Sequence, residues 1–446
     1  MKVDCLVAEI GSTTTVVNAF QIHRDPVRFL GRGFHRTTVE SDVTLGLNAA
    51  IKDLENTLKV EKIEYDLLFA SSSAAGGLRM TVHGLVYDMT AKAAKEAALN
   101  AGANIHLITS NHLEADQIDA IKAIKPNIVV ISGGTDYGDR EVAYQNVLRL
   151  APLGFPIIYA GNVTNQARIK ELDIPWLKMV DNVYPHVDDF NILPLRKAIY
   201  ETFEENIIHA KGMKNIFKMV NKTIIPTPGA VMDATLLLND MIEHVITLDV
   251  GGATTDVHSV SEPSPAYLKY LDGEPRFKRS VEGDLGVFVS RPMVLDMISD
   301  REMKHRLNLS IDQAKAILQG EPFIPQTDLG KELIDFLTEK CVHLAFDRHI
   351  GSLKQVFTTT GVKLIPQGKD LTLVKAIFLT GGALIHAKDP VRMVTSYLAN
   401  QTTKLAPKPS TPVFIDHDYI FASVGVLSSA YPEAAKKLLK QSLRWE

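Results

Sequence analysis

The chain has 446 residues, with 48 basic and 52 acidic side chains and a formal net charge of −4. At 46% hydrophobic and 22% charged residues it has the composition of an ordinary globular protein of two or three domains, long enough to fold without disulfides or structural metal. The near-balanced charge excludes an overall electrostatic footprint for nucleic acid, and the one basic cluster, Lys436, Lys437, Lys440 and Arg444, reads as the solvated face of a C-terminal helix. Two cysteines, Cys5 and Cys341, are too few for a disulfide scaffold or a four-cysteine metal site and point to a reducing compartment. Asp4 and Glu9 interrupt the only early apolar run, which argues against a signal peptide. Residues 150–167, with Pro152, Pro156, Asn162 and Asn165, make a poor membrane span. The expectation is a soluble, cytoplasmic protein with neither nucleic acid nor membrane as partner.

Residues 3–10 form a mostly apolar run ending in Gly-Ser-Thr-Thr-Thr, and 16–22 resume it, which predicts a strand, a tight polar turn and a second strand. A third strand is expected at 29–34. Residues 43–58 carry apolar side chains at helical spacing, with Ser41 or Asp42 as N-cap. A short buried strand at 65–70 and an alanine-rich helix at 85–100, closed by Gly102, complete a β-β-β-α-β-α reading of the first hundred residues. The middle alternates strands at 104–109, 127–132 and 156–160 with helical stretches, the pattern of a parallel α/β unit. A long helical region at 190–221 precedes a break at Pro226-Thr227-Pro228-Gly229, and 231–244 is helical again. Strands are predicted at 244–249 and 257–260 on either side of Gly-Gly-Ala-Thr-Thr-Asp. A helix is expected at 285–298, more helices over 310–356, and a last buried strand at 376–380 ending in Gly381-Gly382.

One internal echo spans most of the chain. Glu9-Ile10-Gly11-Ser12-Thr13-Thr14-Thr15-Val16-Val17 aligns with Asp249-Val250-Gly251-Gly252-Ala253-Thr254-Thr255-Asp256-Val257. Each is an acid, an aliphatic residue, a glycine, a small residue and then hydroxyl-rich sequence, set between two strands, and together they suggest two related halves. A Gly-Thr-rich turn between strands directs backbone N–H groups and hydroxyls toward one point, a nest suited to phosphate. A carboxylate just before such a turn would repel phosphate unless a divalent cation lay between. Glu9 and Asp249 therefore suggest Mg²⁺, which takes one or two carboxylates together with water and phosphate oxygens. Gly381, Gly382 and Ala383, at the end of the last buried strand, would let a flat ring and its ribose lie against the backbone. The small residues of 421–426 suit close helix contact. Asp136 and Asp139, flanking Gly138 after a strand, fit either turn chemistry or a functional sheet edge.

In this order the four elements resemble the actin, Hsp70 and sugar-kinase superfamily of ATPases: two phosphate hairpins, an adenosine motif and a connecting helix. The resemblance implies two actin-like, ribonuclease H-like α/β halves around a nucleotide cleft, with an α/β insertion in the middle. The expected division is 1–104 for the first half with hairpin one, 105–190 for the insertion, and 191–446 for the second half with hairpin two and the adenosine motif. Glu9 departs from the aspartate usual in hairpin one. Ile131 to Asp139 (Ile-Ser-Gly-Gly-Thr-Asp-Tyr-Gly-Asp), Leu248 to Asp256 and Val281 to Gly286 (Val-Glu-Gly-Asp-Leu-Gly), together with the first hairpin, resemble a narrower group, the glutamate mutase accessory protein family called GlmL or MutL. That resemblance implies an ATP-dependent, chaperone-like partner of an adenosylcobalamin-dependent amino-acid mutase (glutamate mutase or an aminomutase such as ornithine aminomutase), which exchanges damaged cobalamin for intact cofactor.

The implied cofactors are ATP or ADP and Mg²⁺. Phosphate would lie on Gly11, Ser12, Thr13 and Thr14 and on Gly251, Gly252, Ala253, Thr254 and Thr255, and adenosine on Gly381, Gly382 and Ala383. Asp249 and Glu9 would hold Mg²⁺ through water and serve catalysis. Glu282 and Asp284 read by themselves as caps of the 285–298 helix, and by the resemblance as residues orienting water or Mg²⁺. The partner would be the mutase, with room for a homodimer. The rival reading in the same fold is a small-molecule kinase or an ATPase subunit of the hydantoinase and acetone carboxylase type. Asp347-Arg348-His349-Ile350-Gly351 lacks the spacing of a cobalamin motif and reads as helix surface.

Overall fold

The first three strands follow directly from the apolar runs: β1 (Lys2–Ile10), β2 (Thr14–Gln21) and β3 (Arg28–Arg36) make an antiparallel meander, and β4 (Glu64–Ser72) lies parallel to β1. This computed structural model describes all residues except 12–13, 39–41, 73–77, 188, 208–212, 222–223, 272–273, 323, 359–360 and 446. The helix Val43–Thr57 is capped by Asp42, whose carboxylate accepts the Thr44 N–H at 2.8 Å, while Ser41 lies outside the described residues.

A second sheet follows, with β5 (Leu78–Gly84), β6 (Ala103–Ser110), β7 (Ile128–Ile131), β8 (Ile157–Tyr159) and β9 (Leu177–Met179) all parallel, in the order β6-β5-β7-β8-β9. β5 was not among the predicted strands. Its sequence mixes Arg79, Thr81 and His83 with apolar residues, and it is stable inside because His83 bonds to Thr109 and Thr81 at 2.8 and 2.9 Å. The alanine-rich helix is shorter than expected: a π turn, Tyr87–Ala91, leads into Lys92–Asn100.

The short β10 (Ile225–Pro226) returns to the first sheet beside β4. The Pro-Thr-Pro-Gly segment starts a helix rather than breaking one, because Thr227–Ile242 carries Pro228 in its first turn, where no backbone donor is needed. β11 (Val245–Val250), β12 (Thr255–Val260) and β13 (Phe277–Glu282) then repeat the antiparallel meander. A separate hairpin, β14 (Ser352–Thr358) and β15 (Gly361–Gln367), replaces the end of the helical stretch expected to reach residue 356. β16 (Ala376–Thr380) lies parallel to β11, and β17 (Val413–Ile415) parallel to β16.

The first sheet runs β10-β4-β1-β2-β3 and the third runs β17-β16-β11-β12-β13, with the same sequence of parallel and antiparallel neighbours. The echo in sequence is therefore an echo in topology, within a mixed α/β fold. By its contacts the chain divides into one unit of Met1–Leu237 with Ile420–Leu439 and another of Leu238–Tyr419 with Lys440–Glu446. The helix Phe421–Ser428, buried from Phe421 to Leu427, packs on β1 and β4 of the first unit. In the second unit, the helix Asp328–His349 packs on β11, β12 and β13, its core side including Leu333, Phe336, Leu337, Cys341, Val342, Ala345 and Phe346. Among the described residues no helix is long and apolar enough to cross a membrane.

Candidate nucleotide site

The two hairpins close in the same register and with the same bond. In the first unit Ile10 pairs with Thr15 and the Gly11 N–H donates to Thr14 O at 2.9 Å. In the second, Val250 pairs with Thr255 and the Gly251 N–H donates to Thr254 O at 2.9 Å. The offset that carries Glu9 to Asp249 thus carries register and turn bond with it. Gly11 is required sterically, since a Cβ there would sit 2.5 Å from Thr14 O. Ser12 and Thr13, both expected to bind phosphate, lie outside the described residues.

The second turn is held by the segment after β13. Val287 N–H donates to Gly251 O at 3.2 Å, and the N–H groups of Phe288 and Val289 donate to Gly252 O at 2.8 and 2.7 Å. Ser290 Oγ donates to Ala253 O at 2.7 Å, and Thr255 Oγ1 to Leu285 O at 2.8 Å. Gly286 lies so close that a Cβ would stand 2.5 Å from the Ala253 carbonyl carbon. The turn's carbonyls are spent on this collar, whereas among the described residues the N–H groups of Gly252, Ala253 and Thr254 have no partner. That polarity suits an anion.

The collar also corrects two expectations. Residues 287–289 give their N–H groups to the turn, so the helix expected at 285–298 shrinks to Arg291–Asp296. Glu282 and Asp284 therefore cap no helix, and both bind Arg348 instead: Nη1 donates to Glu282 Oε2 at 2.6 Å and to Asp284 Oδ1 at 2.7 Å, and Nη2 to Asp284 Oδ2 at 2.8 Å. The Arg348 hydrogen bonds are the main reason the Asp284 carboxyl is held below its ordinary range. Arg348 and His349 had read as helix surface. His349 is instead buried, between Ser259 Oγ at 2.8 Å and Ser280 Oγ at 2.6 Å.

The acids before the turns differ. Glu9 Oε1 accepts from Ser423 Oγ at 2.5 Å and from Asn18 Nδ2 at 3.3 Å, which ties it to the helix Phe421–Ser428. Asp249 is half-buried at the end of β11, in register with Thr380 on β16 and Asp256 on β12. Gly381, at φ +90°, passes so close that a Cβ would lie 2.4 Å from Asp249 Oδ1, whereas a Cβ on Gly382 would meet nothing within 4 Å. The glycine pair thus divides its work: Gly381 admits the close approach of β16 to Asp249, and Gly382 leaves open space above it. Ala383 follows in the short helix Gly382–His386. Asp256, quoted in the motif but given no role, is buried against Arg279, with Nη2 3.0 Å from Oδ1. Burial pushes its carboxyl up, and the guanidinium opposes this.

The profile of the MutL protein family matches residues 5–443. The curated Protein MutL of Clostridium tetanomorphum is 33% identical over 98% of both chains. The chain belongs to the MutL family. Among solved structures, this MutL-family chain is similar to the ATP-dependent caprolactamase from Pseudomonas jessenii (12% identity, 94% of this chain and 70% of that one, TM-score 0.40). It is also similar to a glycerol dehydratase reactivase (10% identity, 96% and 100%, TM-score 0.33). At such scores these likenesses carry no argument.

Asp136 and Asp139 of the MutL-family chain do turn work. Asp136 Oδ1 accepts from Asn182 Nδ2 at 2.9 Å and Val163 N–H at 3.0 Å, and Asp139 Oδ1 from Val142 N–H at 3.1 Å. Among the described residues no three His, Cys, Asp or Glu side chains cluster as a metal centre. A Mg²⁺ that arrives on a nucleotide takes one or two carboxylates with water and phosphate oxygens, so it needs no such cluster; the residues that would hold it are Asp249 and Glu9.

Proposed function

We propose that this chain binds ATP or ADP with Mg²⁺ and hydrolyses ATP slowly, as a chaperone-like accessory factor that reactivates an adenosylcobalamin-dependent amino-acid mutase. The observation that carries the nucleotide reading is the phosphate-type turn built twice, with the same register and the same turn bond. In the second unit the turn from Gly251 to Thr255 offers the N–H groups of Gly252, Ala253 and Thr254 to phosphate, Asp249 faces the metal's water shell, and Gly382 with Ala383 leaves room for adenosine. In the first unit Gly11 and Thr14 take the corresponding phosphate role, and Glu9, anchored by Ser423 and Asn18, stands where Asp249 stands in the second. The accessory role is supported by family membership. A mutase that forms radicals by breaking a cobalt–carbon bond is left with inert cobalamin when the adenosyl group is lost, and an ATPase can supply the work of opening it.

The test is Asp249→Ala. Metal stabilisation of phosphoryl charge is a large part of the barrier lowering in such transfers, while base and ribose contacts carry much of the binding. Hydrolysis is expected to slow at least tenfold, about 1.4 kcal/mol in the barrier, with ADP affinity largely kept. The same variant is expected not to restore a mutase inactivated with hydroxocobalamin, given excess ATP and adenosylcobalamin. Full recovery by Asp249→Ala would separate hydrolysis from reactivation, and no recovery by wild type would count against the accessory role.

Gly382→Arg tests the adenosine assignment. A Cβ at Gly382 meets nothing within 4 Å, so the variant is expected to melt with wild type while calorimetry shows nucleotide binding lost. Unchanged affinity would mean that the glycine pair serves only the approach of β16 to Asp249.

A further inference from the structure

Arg348 stands at the C-terminal end of the helix Asp328–His349 and holds the first two acids of the collar, Asp284 through a bidentate fork. Its reach matters because of where those acids lie. Glu282 is in register with Thr255, the residue that closes the second turn, so its backbone is one strand spacing from the turn. Asp284 comes two residues later, and Gly286 then packs on the turn itself. Two carboxylates thus stand on the segment beside a turn whose Gly252, Ala253 and Thr254 N–H groups have no partner among the described residues. Alone they would repel a polyphosphate, and paired with one guanidinium they leave a single negative charge. A planar, permanently charged fork does this better than an ammonium.

Resting on the nucleotide reading above, we infer that Arg348 is a positioning residue for the polyphosphate: it offsets half of the negative charge that Glu282 and Asp284 place beside the second turn and holds both carboxylates on itself. A role confined to bracing the collar would show up differently, and charge removal separates the two. In Mg-ADP titrations of the full chain, Arg348→Met is expected to weaken binding at least tenfold, and Arg348→Lys less. The triple variant Arg348→Met, Glu282→Gln, Asp284→Asn is expected to return to within about threefold of wild type, because the repelling charges leave together with their partner. The double variant Glu282→Gln, Asp284→Asn keeps Arg348 unopposed and is expected to bind at least as tightly as wild type; it decides the matter if Arg348→Met does not fold. Arg348→Met binding like wild type, a triple variant as weak as the single one, or a weakened double variant would each overturn the assignment alone. A wild type without Mg-ADP affinity would overturn the nucleotide reading and this inference with it.

Discussion

Replacing Gly425 by valine is expected to destabilise the first unit by about 3 kcal/mol or more, roughly a 6–12 °C fall in its melting temperature. The helix Phe421–Ser428 is buried along its length, and where the Gly425 Cβ would stand the Ala230 carbonyl oxygen lies only 1.7 Å away. That oxygen belongs to the backbone of the helix Thr227–Ile242 and cannot rotate aside like a side chain, so the two helices must separate. Even Gly425→Ala should melt early, by a smaller amount. The displacement would also withdraw Ser423 from Glu9 and Asn18, so a stability change becomes a change at the first hairpin. Scanning calorimetry reads it directly. A valine variant melting with wild type would show that the helix slides freely over β1 and β4.

Acidification from pH 7.5 to 5.5 is expected to remove stability through three buried histidines, on the order of 1 kcal/mol for each. Burial lowers His83 to about 3, and burial, aided by neighbouring cations, lowers His258 and His349 well below their ordinary value. In the folded chain these rings stay neutral, while the unfolded chain protonates them as pH falls below about 6.5. The unfolded state then binds more protons, so stability is full above that pH and falls below it. Asp256, pushed up by burial, acts with the opposite sign, so the histidine share is read by difference. Urea unfolding at both pH values, for wild type and each His→Gln variant, measures it. Variants with the same pH slope as wild type would rule these histidines out.

The hairpins could be read from sequence because everything that makes them is local: apolar runs on both sides, a glycine that turns, hydroxyl residues that follow. Their partners could not. Glu9 is held by Ser423 near the other end of the chain, and Asp284 by Arg348 on a helix that looked like plain surface. The helix expected from residue 285 has a sound local pattern, but its first N–H groups are taken by turn carbonyls more than thirty residues upstream. β5 was missed for the complementary reason: His83 looks polar until Thr81 and Thr109 meet both ring nitrogens. Local chemistry wrote the turns, and tertiary hydrogen bonds decided which side chains surround them.

The tail of the chain closes both units, and this sets an order of events during synthesis. Ile420–Leu439 completes the first unit, and Lys440–Glu446 the second, where Ser442 Oγ donates to Asp416 at 2.5 Å and Trp445 packs against Phe378 and Phe414. When Leu237 is added, the first unit still lacks the helix that covers β1 and β4. At about 5–20 residues per second, that face waits roughly ten to forty seconds on the ribosome for its cover. A nascent chain arrested before Phe421 leaves bare the part of β1 and β4 that this helix covers, so the first unit is expected to bind holding chaperones until residues 420–439 emerge.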